Sequence, residues 1–555
     1  MPLWLLILIT LSTPQIALAA PSSPPLTLKD LYSNPKVHNL SVEPLIRIGI
    51  VERKPRLRLQ SNSPLVIRYR ANGVEKESHI PAQTSISMTA QTTQPKNLQY
   101  NVLLATFPEE AIGKVQAALN LWQKRGFSNV KEYYSGVAFD SFPTGLDQRM
   151  RHLILPTTSK AEAKNLQLRL RKKYQAKTSI APVLKNLAMG NIFIASQNGF
   201  AATAQELAEI YALNGTEPIE IFNIEYGRGY AWHGFENRTY QGKIIVSVAQ
   251  NNTLNATNLL SIESLLQGIL PAEMYPKAHS EALKAQAIAA RSHIMAALGH
   301  KHELDPWDIC AQQHCQVFSG MGVANLKSNG AIAQTRGLYL YHQGRILNAL
   351  YSSTCGGYSE AAQAVWPGIA EAVLHKAQAD YPIASTFASQ ELKSGLSESE
   401  VKAWVSNPAL SYCARSKYSQ AEKLRWKKHF SAKELNQLFA NSRNRLGKIL
   451  AVQVRERGPG GRVSSLEIQG TNASQHIDDS LQIRKRFNNL PSTAFYLQST
   501  YNKKKEIESL EFIGAGWGHG VGLCQLGAIG RAESGQSYQE ILKHYFRGAA
   551  IRRFY

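Results

Sequence analysis

The chain has 555 residues, which at roughly 150 residues per domain makes about three to four domains. Apolar residues are 44 % and charged residues 18 %, so packed cores can form and disorder throughout is excluded. Lys and Arg number 62 against 40 Asp and Glu, a formal net charge of +22 that points to a polyanionic partner or surface, and five Cys exclude a disulfide-built scaffold.

Residues 1–20 carry no Lys, Arg, Asp or Glu. An apolar run from Leu3 to Leu11 precedes Ala17-Leu18-Ala19, a small-residue cleavage pattern. Together these read as a secretory signal peptide. The run is about half the ~20 residues that span a bilayer, so cleavage is favoured over an uncleaved anchor. No later stretch is long and apolar enough to cross. The expectation is an exported protein of the periplasm or cell envelope, with no transmembrane anchor after cleavage. Export disfavours nucleic acid, and no basic block is interleaved with aromatics. Anionic envelope polymers or membrane surfaces suit the charge better, with solubility alone as the competing account.

Residues 21–95 read as a linker and a small β-rich region, with strands at Ile46–Val51 and Leu65–Tyr69. Residues 96–200 read as β-α-β-β-α-β. Leu98, Tyr100, Val102 and Leu104 alternate as a strand. Ala111, Val115, Ala118, Leu119 and Trp122 recur at helical spacing, and Gly126 is a plausible stop. A strand at Leu153–Leu155, a helix through Ala163, Leu166, Leu170 and Tyr174, and a strand at Ile192–Ile194 complete a ferredoxin-like unit. By pattern alone it is similar to SPOR-type modules, which bind peptidoglycan glycan strands; a structural insertion without ligand is the alternative.

From about residue 215 to 555 the chain reads as one continuous mixed domain, with a charged, helical insertion at 375–445. Ile219–Ile224 and Gly242–Val248 read as strands. Ser261 is a good N-cap for a helix to about Leu270, which Pro271 and Pro276 break. Ser280 caps the next helix, Ala-rich and ending near Leu298.

Three ordered blocks carry the chemistry. The first, Leu265 to Leu298, contains Glu273-Met274-Tyr275-Pro276, Glu281-Ala282-Leu283-Lys284-Ala285-Gln286-Ala287 and Ala289-Ala290-Arg291. The second is Tyr351-Ser352-Ser353-Thr354-Cys355-Gly356-Gly357-Tyr358-Ser359-Glu360. The third is Gly516-Trp517-Gly518-His519-Gly520-Val521-Gly522-Leu523-Cys524-Gln525-Leu526-Gly527-Ala528. In this order they resemble the SpoIID/LytB family of bacterial cell-wall proteins. The resemblance implies an α+β, multi-domain protein: a SpoIID-like catalytic core with an inserted helical subdomain, preceded here by the βαββαβ module. It implies a lytic transglycosylase that cleaves glycan strands between N-acetylmuramic acid and N-acetylglucosamine, on strands stripped of stem peptides. It places the catalytic carboxylate at Glu273. Tyr275 departs from the family turn by separating Met274 from Pro276, and Tyr358 stands where some relatives have His.

Elementary chemistry makes one carboxyl sufficient. Glycoside hydrolases usually need two. In a lytic transglycosylase the muramoyl 6-hydroxyl is the nucleophile, so one group protonates the leaving oxygen and then takes the hydroxyl proton, giving a 1,6-anhydro end. That acid needs a pKa raised towards neutral by an apolar setting. Pro271, Ala272, Met274 and Tyr275 permit one at Glu273; a surface Glu at a helix end is the alternative.

Lys284 and Arg291 lie seven apart on one helical face, and with Gln286 they are candidate substrate contacts, helix solvation or an ion pair being the competing role. His519, between glycines, and Gln525 are candidates for substrate hydrogen bonds. Thr354, Gly356 and Gly357 would shape the opposite wall of a cleft. Cys310, His314 and Cys315 are candidate zinc ligands without an obvious fourth, His300 and His302 being near in sequence. Some relatives carry zinc there. A Cys310–Cys315 disulfide and buried thiols are the alternatives, and Cys355 could pair with Cys413 or Cys524. No cofactor is required; a structural zinc is the one candidate.

Three readings compete: a peptidoglycan lytic transglycosylase, a non-catalytic peptidoglycan-binding enhancer of an N-acetylmuramoyl-L-alanine amidase on the same fold, and an envelope zinc hydrolase. The last lacks an H-E-x-x-H arrangement.

Overall fold

The computed structural model describes residues 26–32, 42–139, 146–228, 232–366, 375–382, 392, 395–407, 411–440, 446–503 and 506–555. The signal peptide expected at 1–20 lies outside them. No helix among the described residues is long and apolar enough to cross a membrane. The fold is α+β, and the chain forms two compact units.

One unit comprises residues 1–31, 50–96 and 187–259. It is built of antiparallel strands. One sheet runs Ala201–Gln205, Met189–Ser196, Ile86–Gln94, Arg56–Ser61, Ile219–Tyr226 and Gly234–Tyr240. A second contains Thr253–Ser261, Lys243–Ala249, Leu207–Ala212, Leu65–Ala71 and Val74–Ile80 in that order. Met88, Ile192, Ile194, Ile210, Ile244 and Val246 are wholly buried between them. Residues 56–94 supply four strands of these sheets, and 219–259 fall in this unit rather than with the rest of 215–555.

The other unit comprises residues 32–49, 97–186 and 260–555. Its first part has the order strand Asn97–Pro108, helix α1 (Ile112–Lys124), strands Lys131–Ser135 and Met150–Pro156, helix α2 (Lys160–Tyr174) and strand Ser179–Asn186. The strand order is last, first, third, second, antiparallel throughout, which is the ferredoxin-like arrangement. Val102, Leu104, Leu153, Leu155, Trp122, Leu166 and Leu170 make its core. Its last strand is not Ile192–Ile194, which pairs with Met88 and Thr203 in the first unit. The true strand carries Pro182, which lacks an N–H and weakens the strand pattern. An edge position accommodates it.

The module is tied to the helical region C-terminal to it. Gly136 N donates to Gly299 O at 2.8 Å, and His300 is 2.9 Å from the Ser135 hydroxyl and 2.7 Å from Gln148 O. That region holds helix α3 (Ile262–Glu273), capped by Ser261, and helix α4 (Ser280–Ala297), capped by the His279 ring. Pro271 does not end α3; it sits in the last turn, which continues to Glu273. Every residue of α4 from Ala285 onward is buried, so α4 is the central helix of this part.

The 375–445 insertion is not purely helical. Short helices at Glu398–Ser406, Tyr412–Arg415, Ala421–Leu424 and Ala432–Phe439 accompany strand Arg425–Ser431, which pairs with Ile507–Ala515. The charges of RWKKHFS disguise a strand whose Trp426 and Phe430 enter an aromatic core with Phe439, Phe487, Phe495 and Phe512. After the insertion the chain returns through helices α5 (Gln525–Glu533) and α6 (Tyr538–Tyr545).

Candidate active site

Two pairings bring the second and third sequence blocks together. Tyr351 and Ser352 pair in parallel with Leu523 and Cys524, and Thr354 bridges to Trp517. Gln525 therefore opens α5 directly beside the strand that carries Tyr351.

Glu273 is the last residue of α3. The negative end of a helix disfavours a carboxylate. Burial adds to this and pushes its carboxyl up from 4.5 to about 7, against two groups that favour the charged form, the Val317 N–H and the Gln525 amide. Val317 N donates to Oε1 at 2.8 Å. Gln525 Nε2 has no hydrogen-bond partner of good geometry. Gly268 lets the 318–320 loop approach α3: a Cβ there would lie 2.4 Å from the Phe318 ring and 2.5 Å from Gly320 O.

Tyr351 faces the same carboxyl electrostatically, and burial holds its phenol well above the ordinary range. Its hydroxyl has no partner. The phenol packs edge-on against His293, whose Nδ1 is 2.7 Å from Asn348 Oδ1. His293 and His519 are both held neutral, pushed down to about 3 by burial. Trp366 lies edge-on to His519, and Trp517 stands exposed two residues before it.

Several predicted contacts are structural instead. Arg291 is fully buried, with Nε and Nη2 on Glu263 at 2.9 and 2.7 Å. Its long fork is consumed by the carboxylate that also holds Gly337 N and the Tyr555 hydroxyl. Lys284 pairs with Glu281 at 2.8 Å, and Glu281 also holds Tyr538 N at the start of α6. Gln286 is wholly buried in α4. Thr354 is wholly buried and exchanges backbone hydrogen bonds with Trp517. Gly356, at φ 76°, lets that segment pass 2.8 Å from Gly516 N at a would-be Cβ. His519 Nδ1 accepts from Val521 N at 3.0 Å, and the ring also bonds the Tyr351 backbone, so both ring nitrogens stabilise the turn. Glu273 and Gln525 are the predicted residues that the structure brings against one another. Val317 contributes only a backbone N–H, which no side-chain pattern reveals, and Tyr351 was legible only as part of its block.

The zinc candidates converge. His302, Cys310, His314 and Cys315 place one ligand atom each within 4.8 Å of one another. Cys315 Sγ is 3.3 Å from His302 Nε2 and 3.5 Å from His314 Nδ1, and Cys310 Sγ is 3.8 Å from His314 Nδ1. His302 supplies the fourth candidate ligand atom that the sequence left open. Its Nδ1 sits 2.9 Å from Asp305, which fixes the ring with Nε2 toward the cysteines. His300 is engaged by Ser135 and Gln148 instead. All five thiols are free, and Cys355 and Cys413 stand 4.0 Å apart, about twice a disulfide's ~2.05 Å.

Residues 250–342 match the family described as stage II sporulation protein (SpoIID), and residues 361–522 match a domain of unknown function, DUF8618. The second match covers the insertion between the second and third blocks. An uncharacterized protein of Brachyspira hyodysenteriae is 28 % identical over 58 % of this chain and 74 % of its own length. The amidase enhancer of Bacillus subtilis is 28 % identical over 52 % of this chain and 40 % of its own length. Stage II sporulation protein D of Bacillus amyloliquefaciens is 26 % identical over 57 % of this chain and 81 % of its own length. Glu273 lies inside the residues that match this family model, and over this region the chain is similar to the SpoIID/LytB proteins.

Proposed function

We propose that the protein acts on the bacterial cell wall as an exported peptidoglycan lytic transglycosylase, with Glu273 as both acid and base. The observation that carries this reading is the desolvated Glu273 carboxyl, held near neutrality at the end of α3 with Gln525 and Tyr351 beside it. A carboxyl with a pKa of about 7 is protonated in a useful fraction of molecules and still basic enough to recover a proton. No neighbouring charge sets its pKa; burial and two neutral donors do.

The reaction needs no activated water. Protonated Glu273 gives its proton to the glycosidic oxygen as the muramoyl–glucosaminyl bond breaks. The resulting carboxylate, stabilised by the Val317 N–H, takes the proton of the muramoyl 6-hydroxyl as that oxygen closes on the anomeric carbon. Gln525 Nε2 and the Tyr351 hydroxyl, neither in a hydrogen bond of good geometry within the protein, are the groups that this reading assigns to the sugar. Trp517, 38 % exposed, offers a ring face for stacking a pyranose.

His302, Cys310, His314 and Cys315 fit a zinc ion: two thiols and two imidazoles, with a carboxylate behind one ring. Four protein ligands leave no open position, so the ion's role there is structural. It would fix the loop that delivers Val317 N to Glu273.

A second reading is an enhancer of a cell-wall amidase that binds peptidoglycan without cutting it. The amidase enhancer among the relatives favours it. Purified glycan, with and without stem peptides, separates the two. Wild type is expected to release ends in 1,6-anhydromuramic acid, detected by mass spectrometry, and Glu273→Gln none. Binding by both proteins with no new ends from either would remove the enzyme reading and leave the enhancer.

A further inference from the structure

A second set of metal-ligating side chains shares no residue with the His302 cluster and does not include Glu273. Cys355 comes from the second block, Asp380 from the segment after it, Cys413 from the short helix Tyr412–Arg415, and Cys524 from the N-cap of α5. All four are at most 1 % exposed. One ligand atom from each lies within 4.8 Å of every other. We propose that these four residues form a buried, structural zinc site of three thiolates and one carboxylate.

The distances suit an ion. Cys355 Sγ is 3.5 Å from Asp380 Oδ2 and 4.0 Å from Cys413 Sγ. A tetrahedron with zinc–sulfur bonds of ~2.3 Å has edges of roughly 3.8 Å. A disulfide between Cys355 and Cys413 would need the sulfurs at half their separation. It would also leave the third thiol and the free carboxylate oxygen facing one another with nothing between.

The surroundings are those of a charged sulfur cluster. Cys524 Sγ accepts from Cys355 N at 3.1 Å and from Gly527 N at 3.2 Å. Cys355 Sγ accepts from Gly357 N at 3.4 Å, and the Ser411 hydroxyl is 3.2 Å from Cys413 Sγ. Backbone N–H groups aimed at sulfur are the outer-shell partners that orient thiolate ligands. Asp380 is oriented in the same way. Its Oδ1 accepts from the Tyr545 hydroxyl at 2.9 Å and from Arg531 Nε at 3.0 Å, which leaves Oδ2 for the cluster. Gly527 keeps the space: a Cβ there would lie 2.3 Å from Asp380 Oδ2 and 3.1 Å from Cys524 Sγ.

Charge also fits. Three thiolates and a carboxylate around a divalent cation leave two negative charges. Arg531 pairs with Asp380 at 2.9 Å. Arg462, 1 % exposed, donates to Cys355 O at 3.0 Å, and Arg425 donates to Gly356 O at 3.0 Å. Thiolate-rich tetrahedral donors select zinc over harder divalent ions. The ion would clamp the second block, the insertion and the start of α5 together.

The full-length chain tests this in a Cys310→Ser/Cys315→Ser background, which removes both thiols of the other cluster and leaves these three. Zinc is supplied alone, dialysed to equilibrium and counted by elemental mass spectrometry. One zinc per chain is expected there, two in wild type, and none after a further Cys413→Ser exchange. Cobalt loaded in place of zinc should give the thiolate charge-transfer and tetrahedral absorption bands in the background protein. A folded background protein, by circular dichroism, that holds no zinc and no such bands overturns the proposal. So does an intact mass lowered by two hydrogens under non-reducing denaturation, which marks a disulfide. If Cys413→Ser fails to fold, the stoichiometry and cobalt bands of the background protein decide alone.

Discussion

The backbone N–H of Val317 donates a 2.8 Å hydrogen bond to Glu273 Oε1, and Val317 lies two residues beyond Cys315. The loop that carries three of the four candidate metal ligands therefore also carries a donor to the Glu273 carboxyl. Between them, Gln316 is buried and donates to Ala290 O of α4 at 3.0 Å. If zinc fills the His302 cluster as proposed, its loss should loosen this loop and remove a group that lowers the Glu273 pKa. In Cys310→Ser/Cys315→Ser protein the alkaline limb of the glycan-cleavage pH profile should move above 7 while the maximal rate falls several-fold. Hydrogen exchange at the Val317 amide should quicken in parallel. An unchanged limb would mean that Gln316 alone holds the loop.

Glu273 carries a stability cost of known direction. Its folded pKa of about 7 lies above the unfolded 4.5, so the native state binds this proton more tightly. The resulting stability is full below about 4.5 and is lost as pH rises through about 7. Glu273→Gln cannot ionise. It should abolish anhydro-end formation and yet unfold later than wild type at pH 8, the difference approaching roughly 3 kcal/mol at about 1.4 kcal/mol for each tenfold change in proton affinity. At pH 4 the gap should close. Urea titrations at the two pH values measure it.

The fold was legible where a single physical signal dominates. Strand patterns were legible at Ile46–Val51, Leu65–Tyr69 and Gly242–Val248, helical spacing marked α1 and α2, and capping residues marked α3 and α4. It failed where signals compete. Pro182 hid an edge strand, and the charges of RWKKHFS hid a strand. Pro271 suggested a break where the last turn of a helix tolerates it. At the site, a family turn singles out Glu273, and its burial is what the structure adds. Arg291 was misassigned because a basic residue on a predicted helix looks solvent-facing until its buried partner is known. Glu263 lies 28 residues away in sequence, too far for spacing to reveal.

Tyr351 and Gln525 separate binding from chemistry. Each presents an unpartnered polar atom beside Glu273. Tyr351→Phe keeps the ring packing against His293 and removes only the hydroxyl. It should lower kcat/KM on stripped glycan about tenfold, the effect of one lost hydrogen bond of ~1.4 kcal/mol, with stability held within about 0.5 kcal/mol. Gln525→Leu also removes a group that favours the carboxylate, so it should raise the apparent pKa of the acid as well as KM. A rate unaffected by Tyr351→Phe would place the sugar elsewhere.

Arg291 distinguishes a structural ion pair from a glycan contact. Its side chain is wholly inaccessible, and its guanidinium bonds Glu263 twice and Leu338 O once. Arg291→Met leaves a buried carboxylate without its cation and should cost about 3–5 kcal/mol. Glu263→Gln/Arg291→Met removes both charges and should recover much of that loss, although Gly337 N and the Tyr555 hydroxyl keep an acceptor only in the amide oxygen. Denaturant midpoints give the coupling between the two positions. Glycan affinity, measured per folded molecule by co-sedimentation, should match wild type in the double variant. A loss of affinity there with stability restored would return Arg291 to the substrate; recovery of both assigns it to the junction between α3, α4 and the strand at Leu338.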